Sequence, residues 1–223
     1  MQPDLCYHRK YDFYNEKDNF DMQENNKEKR GYDFSLYLQD LKNRVSKKRF
    51  IHSMNVSKAA GMLAEIYGAS VQKAKLAGLM HDIAKEMTHE EHLEILKDAP
   101  EIMKELENIS VKLWHGPVGS LYLKQTYGIN DEDILNSIFY HTTGRKNMSL
   151  LEKIIFVADH ISEERKWPDV TYLRGLSKVD LEGAMLAKLV TSMKRCLSTK
   201  MEINKNTFET YNQIVSEKNK KEV

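Results

Sequence analysis

The chain has 223 residues, with 34 Lys and Arg against 33 Asp and Glu, giving a formal net charge of +1 at pH 7. This length suits one domain with a terminal tail, and the balanced charge argues against a dedicated nucleic-acid-binding surface. We find no run of about 18 apolar residues, so we predict no membrane span, and the polar N-terminus does not resemble a secretion signal. Cys6 and Cys196 form no CxxC pair, so a reducing cytoplasm is the simplest location.

The first part of the chain differs in composition from the rest. Residues 1–32 are rich in Asn, Asp, Lys and Tyr, and they show no sustained apolar period. We predict a disordered or loosely attached extension there, whose aromatic side chains could instead dock on a partner. The folded domain is predicted over 33–215, followed by a charged tail over 216–223.

From Asp33 onward the apolar residues recur at helical spacing, and no alternating strand pattern or repeat is present. The sequence therefore predicts an all-α fold. The predicted helices are one around Phe34–Leu41, one over Phe50–Tyr67 ended by Gly68, one from a Ser70 cap to Met87, short ones after Thr88 and Asp98, one over Pro117–Tyr127, one from Asn130 through His141, one over 150–161, and one from Asp180 to about Leu197. Three capping boxes are predicted, at Thr88 with Glu91, Asp98 with Glu101, and Ser149 with Glu152.

The stretch AKLAGLMHDIAKEM, residues 74–87, carries the adjacent pair His81-Asp82. Apolar residues lie on two sides of this predicted helix, so it should be largely buried. Burying an imidazole beside a carboxylate is costly unless both have partners, and a divalent metal ion suits both. The alternative is that Asp82 pairs with a nearby Lys or Arg while His81 fills the core.

Two further ligand-type residues fall on the apolar stripes of other predicted helices. His52 shares a stripe with Val56 and Leu63, and Asp159 lies in line with Leu151. Each alone is more often a satisfied core residue. Together with His81-Asp82 they supply two imidazoles and two carboxylates from three helices, a set that suits Fe, Mn, Co or Zn.

Two other histidines are candidates for a second metal or a phosphate site. His115 precedes a Gly-Pro turn, and His141 follows the stripe of Ile134 and Ile138. We interpret His89, His92 and His160 as non-ligands, since the first two lie in a charged segment and the third is one step off the inward stripe.

These residues resemble a known family. His52, the HDIAK of residues 81–85 and Asp159 in VADHI resemble the H…HD…D signature of HD-domain metal phosphohydrolases. More narrowly, RFIHS, AGLMHDIAK, LWHGPVG, YHTTGR, LLEKIIFVAD and TFETYN are similar to the bacterial YqeK family over 33–215. The resemblance implies an HD-domain helical bundle that hydrolyses diadenosine tetraphosphate symmetrically to two ADP, with iron at the site. It further implies that His52, His81, Asp82 and Asp159 bind the metal, and that His115 and His141 contact a second metal or phosphate.

One segment departs from the family pattern. The family usually has an aromatic residue and then an Ile-Glu-Pro-like run after its final Asp, where this chain has His160 and then Ile161-Ser162-Glu163-Glu164. Arg165, Pro168 and Arg174 stand at places that resemble the family's. We expect this loop to bear on substrate preference.

The chemistry implied is metal-assisted hydrolysis of a phosphoric anhydride. Metal ions screen phosphate charge and lower the pKa of bound water from 15.7 to about 7, and Asp82 could bridge two ions roughly 3.5–4 Å apart. Lys85, one turn beyond His81, is predicted to meet a phosphate. Arg49, Arg145, Arg165 and Arg174 are the other predicted substrate contacts, although surface arginines are often only solvated charges.

Two alternatives stay open at this point. One is another HD phosphohydrolase, acting on a nucleoside monophosphate or a guanosine alarmone. The other is a nucleotide-sensing module without catalysis, which the intact ligand positions and Lys85 disfavour. A homodimer is expected only because such dimers are the commonest soluble assembly.

Overall fold

The structure is a computed structural model that describes residues 32–107 and 109–221. Within those ranges it contains eleven α-helices, one 3₁₀ turn (Val111–Leu113) and no strand, which confirms the all-α prediction. The helices are α1 (Phe34–Arg44), α2 (Lys47–Tyr67), α3 (Val71–Met80), α4 (His89–Leu96), α5 (Pro100–Leu106), α6 (His115–Tyr127), α7 (Glu132–Phe139), α8 (Leu150–Ile161), α9 (Val170–Leu176), α10 (Leu181–Ser198) and α11 (Lys205–Lys221). Apart from Tyr32, the extension predicted over 1–32 lies outside the described residues.

Helix α8 is at the centre of the bundle. It packs against α2, α3, α7, α9 and α10. Its sequence, LLEKIIFVADHI, is apolar on nearly every side, and Ile154, Ile155, Phe156 and Val157 are all buried. A helix that is hydrophobic all round is stable only in the interior, so this composition places α8 in the core.

Helices α2 and α3 pack closely against each other because Gly78 of α3 lies where the two backbones meet. A Cβ atom built on Gly78 would come within 2.9 Å of the Cα of Ser57. The hydroxyl of Ser57 donates to the carbonyl of Lys75 at 2.8 Å. The two backbones therefore approach more closely than a larger residue at position 78 would allow.

Several helix ends agree with the sequence. Ser70 caps α3, Thr88 and Glu91 form both halves of a capping box, and Gly68 and Gly128 end their helices in the left-handed conformation, which suits a residue without a side chain.

Other predicted ends are wrong. The helix after Asp98 begins at Pro100 with Ala99 as its N-cap, and no side chain caps it. Ser149 accepts from the backbone N–H of Glu152, but the Glu152 carboxylate binds Arg145 instead of returning to the cap. The helix predicted from Asn130 begins at Glu132 with Asp131 as its cap.

The helix predicted to run through His81 to Met87 ends earlier, at Met80. The imidazole of His81 binds the carbonyl of Gly78 at 2.7 Å, and a continuing helix would offer that carbonyl to the N–H of Asp82. Residues 81–86 form successive turns instead, with bonds three residues back such as Ile83 N–H to Met80 O. His81 and Asp82 are therefore placed at a helix end and not along a helix face.

The C-terminal part contains two helices that the sequence pattern did not single out, α9 and α11. Helix α11 runs from Lys205 to Lys221, so the predicted start of a tail at 216 falls inside it. Residues from Ser35 onward cluster as one compact unit. Among the described residues, none of the helices combines the length and apolar character that a bilayer span requires.

Candidate metal centre

Five helix ends bring the predicted ligands to one place. His52 lies near the start of α2, His81 and Asp82 follow the end of α3, and Asp159 lies in the last turn of α8. His115 is the first residue of α6, and His141 follows α7 by two residues. The four imidazoles are buried, so sequence positions up to 107 residues apart form one cluster inside the bundle (His52 to Asp159).

The first group of ligand atoms consists of His52, His81 and Asp159. The Nε2 atoms of His52 and His81 are 3.2 Å apart. Asp159 Oδ1 lies 3.2 Å from His52 Nε2 and 3.9 Å from His81 Nε2. These three residues satisfy the geometry of a metal-binding group.

The second group consists of His115 and His141, which face the other oxygen of Asp82. Their Nε2 atoms are 3.1 Å apart. Asp82 Oδ1 lies 3.3 Å from His115 Nε2 and 3.6 Å from His141 Nε2. His81, Asp82 and His141 also satisfy the geometry of a metal-binding group.

Asp82 joins the two groups. Its Oδ2 atom lies 3.3 Å from His81 Nε2 and 3.6 Å from His52 Nε2, while its Oδ1 atom faces His115 and His141. A carboxylate with one oxygen toward each group could contribute a ligand atom to an ion held by either group.

Hydrogen bonds on the outer nitrogen fix the orientation of each ring. The Nδ1 atom of His81 donates to Gly78 O at 2.7 Å, that of His141 to Ile138 O at 2.7 Å, and that of His115 to Lys112 O at 3.0 Å. Each acceptor is the carbonyl three residues earlier. Because a carbonyl only accepts, Nδ1 holds the proton and Nε2 is free to bind a metal, as in most protein sites.

The separations and charges of these atoms fit a divalent ion. Two ligand atoms at about 2.1 Å from one ion lie roughly 3.0–3.4 Å apart, which matches the Nε2 pairs. Burial lowers the pKa of His115 well below its usual value and that of His141 in the same direction. Both rings are therefore neutral, the form that binds metal. The guanidinium group of Arg49 donates to Asp82 Oδ2 at 2.6 Å, which favours the ionised form of this acid.

Three of the predicted cations border this cluster. Arg49 donates to Asp82 Oδ2 at 2.6 Å, and Arg165 donates to Asp159 Oδ1 at 2.7 Å. The Nζ atom of Lys85 lies 3.1 Å from His115 Nε2. Asp82 therefore pairs with an arginine, as the alternative interpretation predicted, and it also faces the histidine cluster.

The structure does not bring Arg145 and Arg174 into the cluster. Arg145 makes a two-pronged ion pair with the buried Glu152. Arg174 donates to four backbone carbonyls, those of Ile161, Ser162, Glu163 and Arg165. Arg145 thus connects the segment before α8 to that helix, and Arg174 connects α9 to the loop after α8. The recorded hydrogen bonds of both arginines are structural contacts within the protein.

Sequence reasoning missed two charged residues that contact the predicted ligands. Glu164 accepts from His52 Nδ1 at 2.5 Å, and Lys188 donates to Asp159 Oδ2 at 3.1 Å. For Lys188 a signal was available, since it interrupts the apolar stripe between Met185 and Leu189 on α10. For Glu164 the sequence carries no periodic signal, because it lies in a loop.

The three histidines interpreted as non-ligands have other contacts. His92 Nε2 binds Ala84 O at 2.9 Å, His160 stacks with Trp167, and His89 contacts the Trp114 ring. Within the described part of the chain, the metal-binding groups include none of them.

Comparisons with known proteins agree with this site. The family model described as "HD domain" matches residues 49–164, and this range contains every ligand named above. The fold and the site therefore identify the chain as an HD-domain protein. The chain is 39% identical over 180 residues to the symmetrical bis(5'-nucleosyl)-tetraphosphatase of Halalkalibacterium halodurans, covering 81% of this chain and 96% of the relative. It is 38% identical over 176 residues to the enzyme of the same name from Bacillus subtilis, covering 79% and 94%.

A solved structure is similar as well. The crystal structure of an HD-superfamily hydrolase from Clostridium acetobutylicum, described as involved in NAD metabolism, aligns with a TM-score of 0.76 and 36% identity, covering 84% of this chain and all of that one. The chain belongs to the YqeK family of HD-domain symmetrical bis(5'-nucleosyl)-tetraphosphatases.

Proposed function

We propose that this protein hydrolyses diadenosine tetraphosphate and related dinucleoside polyphosphates symmetrically, giving two ADP from diadenosine tetraphosphate, with iron at its metal centre. The observation that carries the proposal is the buried cluster of four imidazoles whose Nε2 atoms face the carboxylates of Asp82 and Asp159. The names of the two relatives described above support the substrate. Mixed nitrogen and oxygen ligands suit iron, and they also suit manganese, cobalt and zinc.

A divalent metal bound at this cluster supplies Lewis acidity, which offsets phosphate charge and acidifies water at neutral pH. The protein's own part is to hold the ligand atoms in place. The outer hydrogen bonds of His81, His115 and His141 fix which nitrogen faces inward. Because these bonds go to backbone carbonyls at helix ends, the rings keep their orientation without reorganising when a ligand binds.

Positive side chains on the border of the cluster would bind the polyphosphate. Arg49 and Arg165 are each about one-quarter exposed, with side-chain values of 27% and 25%. An arginine can bind a phosphate with two parallel N–H donors, and Lys85 adds a point charge beside His115. Two ADP products require cleavage of the central anhydride, so both halves of the substrate must extend from the cluster with a diphosphate each.

The assembly and location belong to the same proposal. We expect a homodimer on the base rate for soluble enzymes, and we expect the cytoplasm, where a nucleotide substrate and the free thiol of Cys196 are compatible.

Product analysis and metal analysis together test the proposal. Protein purified without oxygen is assayed for bound metal and then incubated with a panel of dinucleoside polyphosphates, with the products separated by chromatography. We expect ADP alone from diadenosine tetraphosphate. Release of orthophosphate from a nucleoside monophosphate, or of pyrophosphate from a guanosine alarmone, would indicate another HD phosphohydrolase, and tight ADP binding without turnover would indicate a sensor.

Variants connect the activity to the cluster. His81→Ala and Asp82→Ala should lose bound metal and turnover together, because Asp82 has one oxygen toward each ligand group and His81 belongs to both sets of residues that could hold an ion. His89→Ala, at an exposed position beside Trp114, is the matched control and should keep both. Wild-type turnover in either cluster variant would contradict the proposal.

A further inference from the structure

A lysine from outside the HD-domain match reaches the metal centre. Lys188 lies in the middle of α10, beyond residues 49–164, and it is only 4% exposed. Its Nζ atom donates to Phe156 O at 2.6 Å, to Asp159 Oδ2 at 3.1 Å and to His141 O at 3.2 Å. Three acceptors around one nitrogen use all three protons of an ammonium group, so this geometry requires the charged form.

The contact with Lys188 keeps one carboxylate oxygen of Asp159 away from the ligand cluster. Lys188 binds Oδ2, and Oδ1 is left 3.2 Å from His52 Nε2 and 2.7 Å from Arg165. Without a partner on Oδ2, rotation about the last side-chain bond could turn both oxygens toward the cluster. The lysine therefore favours binding of an ion through one oxygen of Asp159.

The contact with His141 extends the same ammonium group to the other side of the cluster. His141 belongs with Asp82 to the second ligand group, and its backbone carbonyl is held by Lys188. A single side chain thus connects a ligand residue of each group. Phe156, whose carbonyl is the third acceptor, is one turn before Asp159 on α8, so the lysine also holds the helix that presents this ligand.

Packing alone does not explain a lysine here. The neighbouring inward positions of α10 are Met185 and Leu189, both 1% exposed, and another apolar residue would fill the same face. Burying an ammonium group costs free energy unless charge and hydrogen bonds compensate it. The only charge that compensates Lys188 in these contacts is the carboxylate of Asp159, a ligand residue, while the carbonyls of His141 and Phe156 accept its other hydrogen bonds.

We propose that Lys188 is a positioning residue of the metal centre, which holds Asp159 with Oδ1 toward the ion and couples the two ligand groups. The inference rests on the proposed function only through the metal site and does not depend on which nucleotide is hydrolysed. Outer partners of metal ligands typically contribute 10–100-fold to metal affinity.

The test compares Lys188→Met and Lys188→Gln with a matched control, Lys153→Met. Lys153 forms an ion pair with Glu182 at 2.7 Å and so also connects α8 to α10, but it contacts none of the ligands named here. Metal-free protein is titrated with Co²⁺ and with Mn²⁺. The readouts are the dissociation constant, the number of ions bound, and the visible absorption spectrum of the Co²⁺ protein, none of which requires a substrate.

We expect both Lys188 variants to show an altered Co²⁺ spectrum and a Co²⁺ dissociation constant that differs from the wild-type value by 10–100-fold, while Lys153→Met keeps wild-type affinity and spectrum. Wild-type affinity and spectrum in Lys188→Met would overturn the proposal. If Lys188→Met does not fold, Lys188→Gln carries the test, since it keeps a hydrogen-bond donor without the charge. If neither variant folds even with saturating Mn²⁺, the lysine serves the fold and the proposal is equally overturned. A wild-type protein that binds Co²⁺ but hydrolyses no dinucleoside tetraphosphate would contradict the proposed function alone.

Discussion

The four clustered histidines differ in what holds their outer nitrogen. His81, His115 and His141 each donate to the carbonyl three residues earlier, whereas His52 donates to the carboxylate of Glu164. Burial raises the pKa of Glu164, but hydrogen bonds from His52, Ser162 and Asn55 outweigh it and lower the pKa to about 2. A carboxylate on the outer nitrogen makes the imidazole a stronger base and a better metal ligand.

Glu164→Gln should therefore weaken metal binding by about tenfold, because an amide oxygen still accepts from His52 but carries no charge. The change is measured by competition for Co²⁺ with a chelator of known affinity. Glu163→Gln is the matched control, since Glu163 is exposed and pairs only with Lys58 among its recorded ion pairs. Equal affinities for the two variants would refute a role for the Glu164 charge.

Lys85 borders the cluster without contacting either ligand carboxylate within the described hydrogen bonds, and burial lowers its pKa. Lys85→Ala should leave metal content unchanged and reduce kcat about 100-fold, the size expected when one donor to developing phosphate charge is lost. Lys85→Arg should restore part of the rate because it keeps the charge. Steady-state kinetics measures kcat of the variants, and metal analysis of the same preparations measures their metal content. An unchanged kcat in Lys85→Ala would show that this lysine does not act on the substrate.

At the scale of helices, the site depends on where helices end. Ligands from α2, α3, α6, α7 and α8 meet because each lies within about two turns of a helix end, and these ends face the same interior point. The early end of α3 at Met80 lets His81 face one ligand group while the next residue, Asp82, contacts both. The close approach of α2 to α3 at Gly78 brings His52 within reach of His81.

Gly78→Ala should destabilise the protein by about 1–3 kcal/mol, because the added methyl group meets backbone atoms of Ser57 that cannot move aside. For a chain of this size that corresponds to a fall in Tm of roughly 2–4 °C per kcal/mol. Thermal unfolding followed by circular dichroism measures it. Gly175→Ala is the control, since an added Cβ there meets no atom within 4 Å, and alanine should leave Tm unchanged or raise it. A Tm for Gly78→Ala equal to that of Gly175→Ala would mean that α2 and α3 separate without cost.

For the whole molecule, the metal centre lies in the core and so contributes to its stability. The carboxylates and imidazoles at the centre of the bundle are removed from water, and the two carboxylates repel each other. Both effects cost free energy unless a cation compensates the negative charge. The ammonium of Lys188 and the guanidinium groups of Arg49 and Arg165 supply part of that compensation. The bound ion would supply the rest, and its binding free energy is then available to the folded state alone.

Removing the metal should therefore lower the stability of the wild-type protein. At a free metal concentration of 100 times Kd, binding stabilises the fold by about 2.7 kcal/mol, which is a rise in Tm of roughly 5–10 °C for a chain of this length. Calorimetry with and without a chelator measures the shift. His81→Ala should show no such shift, and a metal-dependent Tm in that variant equal to the wild type would mean that stabilisation arises elsewhere.

The sequence by itself determined the helical class, most of the helices, and the ligand set His52, His81, Asp82 and Asp159 as the residues to examine. It could do so because these signals are local: apolar spacing, caps such as Thr88 with Glu91, and ligand-type side chains on apolar stripes. The sequence pattern also offered His115 and His141 as candidates, and the motif resemblance added the family.

The tertiary structure alone decided which groups support those ligands. Glu164 meets His52 across 112 residues of sequence and Lys188 meets His141 across 47, and no local pattern encodes contacts of that range. Two other outcomes are local and still were not predicted: Arg145, which the pattern assigned to substrate, pairs with Glu152 seven residues later, and α3 ends at Met80, where the His81 imidazole donates to Gly78 O. Spacing along a helix fixes the direction of a side chain relative to its own axis, whereas its partner depends on how separate helices pack.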